Sequence, residues 1–137
     1  MIAVDTSAIV AILRLAPEAD PLLHAIADAE ACFVSAISVL EAALVLAGTK
    51  GGAAVWKPLD ELLAKAQIDV VPFDAEQARH ARDAFIRFGK GRHAAALNLG
   101  DCASYALAVS RKLPLLFKGD DFTKTDLPAA VSMPPAD

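Results

Sequence analysis

Met1-Ile2-Ala3-Val4-Asp5-Thr6-Ser7-Ala8 opens the chain with a short apolar run that stops at an acid. Four apolar residues without polar alternation describe a strand covered on both faces. Asp5 ends that strand, and Thr6 and Ser7 offer capping hydroxyls for a helix running to about Leu15. The same grammar recurs along the chain. Cys32-Phe33-Val34, Ile68 to Phe73 and Pro114 to Phe117 are short apolar or β-rich runs, and Ala130 to Met133 is a candidate for a short last strand. Between them the spacing predicts helices from the Pro17/Pro21 region to Glu30, Ser38 to Ala47, Ala53 to Gln67, Asp74 to Phe88 and Asp101 to Lys112. Strands alternating with helices predict an α/β fold, with a mostly parallel central sheet of four to five strands flanked by helices.

A chain of 137 residues without repeats or low-complexity tracts reads as one domain spanning 1–137, with 134–137 a frayed tail. Hydrophobic content of 55% implies either a core covered on both sides or an apolar surface kept for another subunit. No apolar run reaches the roughly 20 residues of a membrane span. Asp5 arrives too early for a secretory leader, so the expected location is cytoplasmic. Cys32 and Cys102 lie in apolar surroundings without metal-ligand spacing and read as reduced core thiols.

Four acids sit where a carboxylate is hard to justify structurally: Asp5, Glu41, Asp101 and Asp120. An ionised carboxylate taken from water costs several kcal/mol unless it is compensated. Each has a local rationale. Asp5 could begin a helix, and Ser38-Val39-Leu40-Glu41 matches a capping box. Asp101 follows Gly100 at a helix start, and Asp120-Asp121 has turn composition. Against the capping box, Val39 to Leu46 leaves almost no other polar residue, so that helix is expected to be buried all round with Glu41 facing an interior partner.

In parallel α/β folds ligands bind outside the carboxyl ends of the strands. Asp5 and Asp120 fall there, and Glu41 and Asp101 lie near helix starts that can point into the same crevice. One compensating partner then serves all four, and a hard divalent cation is the simplest. Oxygen donors suit Mg²⁺ or Mn²⁺ rather than zinc. Such an ion lowers the pKa of water and offsets charge built up at a phosphodiester, so metal-assisted phosphodiester hydrolysis is the chemistry that fits.

Net charge is −4, which argues against indiscriminate nucleic-acid binding. Yet Arg79, His80, Arg82, Arg87, Lys90, Arg92 and His93 form a local basic stripe against one acid, Asp83. It could follow a phosphate backbone, or it could be a solvated helix face and a polar loop.

These pieces resemble the PIN-domain ribonucleases, and among them the VapC toxins of bacterial toxin–antitoxin pairs. The matching stretches are Met1 to Ala8, Ser38-Val39-Leu40-Glu41, Gly91 to Cys102, Leu115 to Phe122 and Thr125-Asp126-Leu127. The resemblance implies a three-layer PIN fold, Mg²⁺-dependent (or Mn²⁺-dependent) endoribonuclease activity, a homodimer, and a hetero-oligomer with a VapB-like antitoxin that inhibits it. Asp5, Glu41 and Asp101 match the family's core acids, and Asp120 matches the fourth, with Asp121 a rival beside it. Thr6 or Ser7 matches a small hydroxyl at the metal or phosphate. Arg92 and His93 match a Gly-Arg-His segment expected to touch RNA or the partner.

Two other readings remain at this point. A haloacid-dehalogenase-like phosphatase would use Asp5 as nucleophile, but Ser7 stands where that chemistry wants a second acid. A non-enzymatic receiver-like signalling module would use Asp5 and Lys118, but leaves Glu41 without a role.

Overall fold

A computed structural model describes residues 1–131. Four strands, β1 (Ile2–Val4), β2 (Cys32–Ser35), β3 (Ile68–Val71) and β4 (Leu115–Leu116), form one sheet in the order β3-β2-β1-β4. Every pairing is parallel. Six helices accompany the strands: α1 (Thr6–Leu13), α2 (Ala19–Asp28), α3 (Ala36–Ala47), α4 (Lys57–Lys65), α5 (Ala75–Phe88) and α6 (Leu99–Arg111).

Strand alternation sorts the core into two layers, as the period of two requires. Ile2, Val4, Cys32, Val34 and Leu116 join Ile9, Leu22, Ala42 and Leu59 on one face of the sheet. Ala3 and Leu115 face the other way, toward Phe88, Leu97, Tyr105 and Leu107 of the α5–α6 side, where Phe33 also packs. The result is the α/β arrangement predicted from the apolar runs, in the three layers that the resemblance implies.

The boundaries differ in informative ways. Asp5, not Thr6 or Ser7, caps α1: its carboxylate accepts the Ser7 amide. Ser35 caps α3, which starts two residues before the predicted Ser38. Ser38 is therefore inside the helix, and the Ser38–Glu41 capping box is not formed. Nor is α3 buried all round. Leu40 and Leu44 are 55% and 60% exposed, because the helix lies on the sheet with one face only. The segment 53–67 divides into a 3₁₀ turn, Ala53–Trp56, and α4, which has Pro58 in its first turn. In place of a last strand, the described residues make an isolated bridge between Leu115 and Ala129. Ser132, Met133 and the frayed tail expected at 134–137 lie outside the described residues.

This topology positions the site. The chain steps outward from β1 through β2 to β3, then returns across the sheet to β4 on the other side of β1. The direction reverses at β1, and the carboxyl edge beside such a reversal is where parallel α/β sheets leave a crevice. Asp5 stands at that edge.

Candidate active site

Asp5 is 3% exposed, and both its oxygens are held. Oδ2 accepts the Ser7 amide at 3.0 Å, and Oδ1 accepts the Ser104 hydroxyl at 2.5 Å. Ser104 lies on α6 and is itself 3.0 Å from the Ser38 hydroxyl on α3. Thr6 donates its hydroxyl to the Ser38 carbonyl at 3.0 Å. A buried chain of hydroxyls thus ties α1, α3 and α6 together beneath one carboxylate. Ser7 faces the other way: its hydroxyl accepts the Lys118 amide at 2.9 Å, joining the end of β4 to the start of α1.

Asn98 caps α6 and forms the capping box that the spacing predicts at Ser38. Its side chain accepts the Asp101 amide at 2.9 Å, and Asp101 Oδ2 accepts the Asn98 amide at 3.0 Å. This holds the Asp101 carboxylate at the mouth of the crevice. Glu41 reaches the same helix start from α3. Its carboxyl group lies against Gly100, where an added Cβ would come within 2.5 Å of Cδ and overlap both oxygens. Only a residue without a side chain leaves Glu41 that seat.

The electrostatics agree with this gathering. Burial pushes the Asp101 carboxyl up to about 6; the bond from Asn98 opposes this, and the charges of Asp5, Glu41 and Asp121 add to it. Three acids from three distant parts of the chain are therefore felt at a fourth. Of the final pair, Asp121 is the one that acts on Asp101. Asp120 precedes the 3₁₀ turn Asp121–Lys124, and both acids are exposed.

Among the described residues, no three acidic, histidine or cysteine side chains close into a ready-made ion cage. This is compatible with the shared field at Asp101, because charge repulsion acts over longer distances than ligation. An all-oxygen donor set with open positions fits Mg²⁺, which takes one or two carboxylates and keeps several waters. Cys32 and Cys102 are buried free thiols; Cys102 adjoins Asp101 in α6, and burial, with the Asp101 charge, pushes its thiol up to about 11.

The basic stripe is partly occupied by structure. Arg87 bonds Tyr105 Oη at 3.2 Å and Asp126 at 2.9 Å. Arg92 Nε donates to the Ile86 carbonyl at 3.3 Å. His93 Nδ1 accepts the Ala95 amide at 3.0 Å, and its ring meets Phe88 edge-on. Arg79, Arg82 and Lys90 are exposed.

Comparison with known proteins fits this geometry. Residues 2–127 match the PIN domain family. The chain belongs to the PIN-domain family. A ribonuclease VapC of Mycolicibacterium smegmatis is 48% identical over 129 residues, covering 92% of this chain and 97% of that protein. The crystal structure of Mycobacterium tuberculosis VapC20, a sarcin-ricin loop cleaving toxin, superposes with a TM-score of 0.74 at 16% identity, covering 93% of this chain and 96% of that one. A toxin–antitoxin complex from Klebsiella pneumoniae has a TM-score of 0.68 at 17% identity, covering 92% and 93%. The relatives of high identity make this a VapC-type PIN domain, and the match runs nearly the whole length of the chain.

Ser38 and Gly100, read in the sequence only as a helix cap and a helix start, join the site, as do Asn98 and Ser104, which had no role of their own there. Ser104 had a signal: it stands three residues after Asp101 in an otherwise apolar helix, and so on the same face. Ser104→Ala is expected to keep the fold and lower RNA cleavage roughly 10- to 100-fold, as loss of a partner that orients a ligand typically does. Single-turnover cleavage with matched circular dichroism spectra would check it. Undiminished activity would show that Asp5 needs no holder.

Proposed function

We propose that this VapC-type ribonuclease is the toxin of a toxin–antitoxin pair, cutting RNA phosphodiester bonds in the cytoplasm with a divalent cation, Mg²⁺ or Mn²⁺. Asp5, Glu41 and Asp101 would hold the ion, with Asp121 rather than Asp120 as the fourth acid. The observation that carries this reading is the convergence of carboxylates on the start of α6, where Glu41 lies against Gly100, Asp101 closes the capping box and Asp5 accepts the Ser104 hydroxyl.

When bound, the ion would offset the phosphate's charge, favour ionised carboxylates and make water a better nucleophile at neutral pH. The chain's own residues do the rest. The Ser7 amide and the Ser104 hydroxyl fix the Asp5 oxygens, so little reorganisation accompanies reaction. Asn98 fixes Asp101. An ionised carboxylate at the mouth can take the proton of the attacking water. Exposed Arg79, Arg82 and Lys90 would steer the strand, with Arg92 and His93 shaping the loop beside it.

A VapB-like antitoxin and a second copy of the chain are the expected partners. Leu40 and Leu44 stand exposed on α3, and a groove of about 390 Å³ is lined by Ile37 of the same helix with Phe73, Phe85, Leu99 and Cys102. Leu99 is 78% exposed. An apolar face of this kind on an isolated chain marks an interaction surface.

Incubating purified protein with total RNA and sequencing the new ends tests the activity. Cleavage is expected with Mg²⁺ or Mn²⁺, to vanish in excess chelator and to return when the ion is restored. Equal cleavage in chelator would rule out the metal mechanism.

A further inference from the structure

The acids Asp120 and Asp121 sit on an exposed turn, unlike Asp5, Glu41 and Asp101, which are at least partly buried. The turn leaves β4 through Gly119, whose φ of 99° is easy only for glycine. Two more acids beside three carboxylates add like-charge repulsion, so the turn that carries them needs a holder. The holder is a buried tyrosine. Tyr105 is 3% exposed, and its hydroxyl donates to Asp126 Oδ1 at 2.5 Å. Arg87, from the last turn of α5, donates to Asp126 Oδ2 at 2.9 Å and to Tyr105 Oη at 3.2 Å, with its guanidinium 4.8 Å over the Phe88 ring. Within the turn, Phe122 is buried against Phe117, and the Thr125 hydroxyl donates to the Phe122 carbonyl at 2.6 Å. Beyond it, the Leu115 carbonyl accepts the Ala130 amide at 2.9 Å. The segment is thus held before its acids by the Lys118 amide on the Ser7 hydroxyl, and after them by Phe122 and Asp126.

Tyr105 follows Asp101 by one helical turn and Ser104 by one residue. One stretch of α6 therefore supplies an acid, the holder of Asp5, and the anchor of the last acidic turn. We propose that Tyr105 and Arg87, acting through Asp126, are positioning residues that hold the Asp120-Asp121 turn against the other acids, and so set the site's affinity for its divalent ion. The inference rests on the metal-site reading above, and it assigns the Arg87 contacts of the basic stripe to ion affinity rather than to RNA.

The test is Mn²⁺ binding to the full chain, measured by titration calorimetry with the metal alone, alongside RNA cleavage. Tyr105→Phe keeps the ring against Phe88 and removes only the hydroxyl. It is expected to weaken Mn²⁺ about tenfold, in the range for a residue that orients a ligand, with KM for RNA unchanged. In an Asp121→Asn background the same change should cost nothing further, because the group it positions is gone. Arg87→Gln, at an exposed position, should give a smaller loss of the same kind and serves if Tyr105→Phe does not fold. Unchanged Mn²⁺ affinity in a folded Tyr105→Phe protein, or a loss that simply adds to that of Asp121→Asn, overturns the proposal. So does a loss confined to KM for RNA. If the wild-type chain itself neither binds Mn²⁺ nor cuts RNA, the metal-site reading fails first, and that result is distinct from the others.

Discussion

Asp101→Asn is expected to reduce RNA cleavage by on the order of a thousandfold or more, several kcal/mol of lost transition-state stabilisation, while making the metal-free protein more stable. The two effects have one origin. Asp101 is pushed up to about 6 by burial, against the bond from Asn98 and with help from its acidic neighbours. An acid whose folded pKa exceeds its unfolded value costs stability once ionised. The cost is absent below about pH 4, grows as pH rises toward about 6, and stays constant above. At neutral pH it is on the order of 1–2 kcal/mol after allowance for solvent screening. Asparagine is never charged, and its carbonyl can still accept the Asn98 amide, so the start of α6 survives. Thermal melts in chelator from about pH 4 to 8 should therefore show wild type losing stability across the lower half of that range and the variant losing less. With Mn²⁺ added the order should reverse, because the ion stabilises only a chain that binds it. A variant less stable than wild type in chelator at neutral pH would mean that Asp101 is a structural residue.

Gly100→Ala should produce a similar defect by adding a single methyl group. On helix propensity alone the substitution is favourable, by roughly 0.5–1 kcal/mol. The new Cβ would, however, occupy the seat of the Glu41 carboxyl group. Glu41 is a flexible side chain and can swing away, so the fold tolerates the change and the site does not. Cleavage is expected to fall by at least roughly 100-fold, the scale of losing a transition-state contact worth a few kcal/mol, with Mn²⁺ binding weakened and the melting temperature equal to or above wild type. Glu41→Gln alone should be nearly as inactive, and adding Gly100→Ala to it should matter little. Full activity in Gly100→Ala would show that the position of Glu41 is not critical.

The fold is readable from the sequence because its strands are short, apolar and buried on both faces, a pattern that few architectures besides a covered parallel sheet produce. The acids are readable because a charge beside such a strand is costly. What escapes are features whose residue types are ordinary. Ser104 looks like any small residue in a packed helix until Asp5, far away in sequence, is brought to it. Gly100 looks like a helix breaker until Glu41 arrives. Local spacing permits a capping box at Ser38 and Glu41, while Asn98 and Asp101, at the same spacing, form one. Local rules cannot choose between them. In the fold Ser35 takes the cap, and Ser38, inside α3, turns its hydroxyl to Ser104. The exposed face of α3 escapes for a related reason: apolar composition alone does not distinguish a core from a surface awaiting a partner.

That helix serves two masters. On α3 Glu41 and Leu44 stand about one turn apart, and Leu44, with Leu40, is open to whatever docks there. It is a rigid beam, so a molecule seated on Leu40 and Leu44 that shifts the beam also moves Glu41, the carboxylate proposed to hold the ion. Any such coupling must run both ways with equal strength: a partner that loosens the grip on the ion would itself be shed as the ion binds, so neutralisation of this chain would have a toll set by the cell's free magnesium.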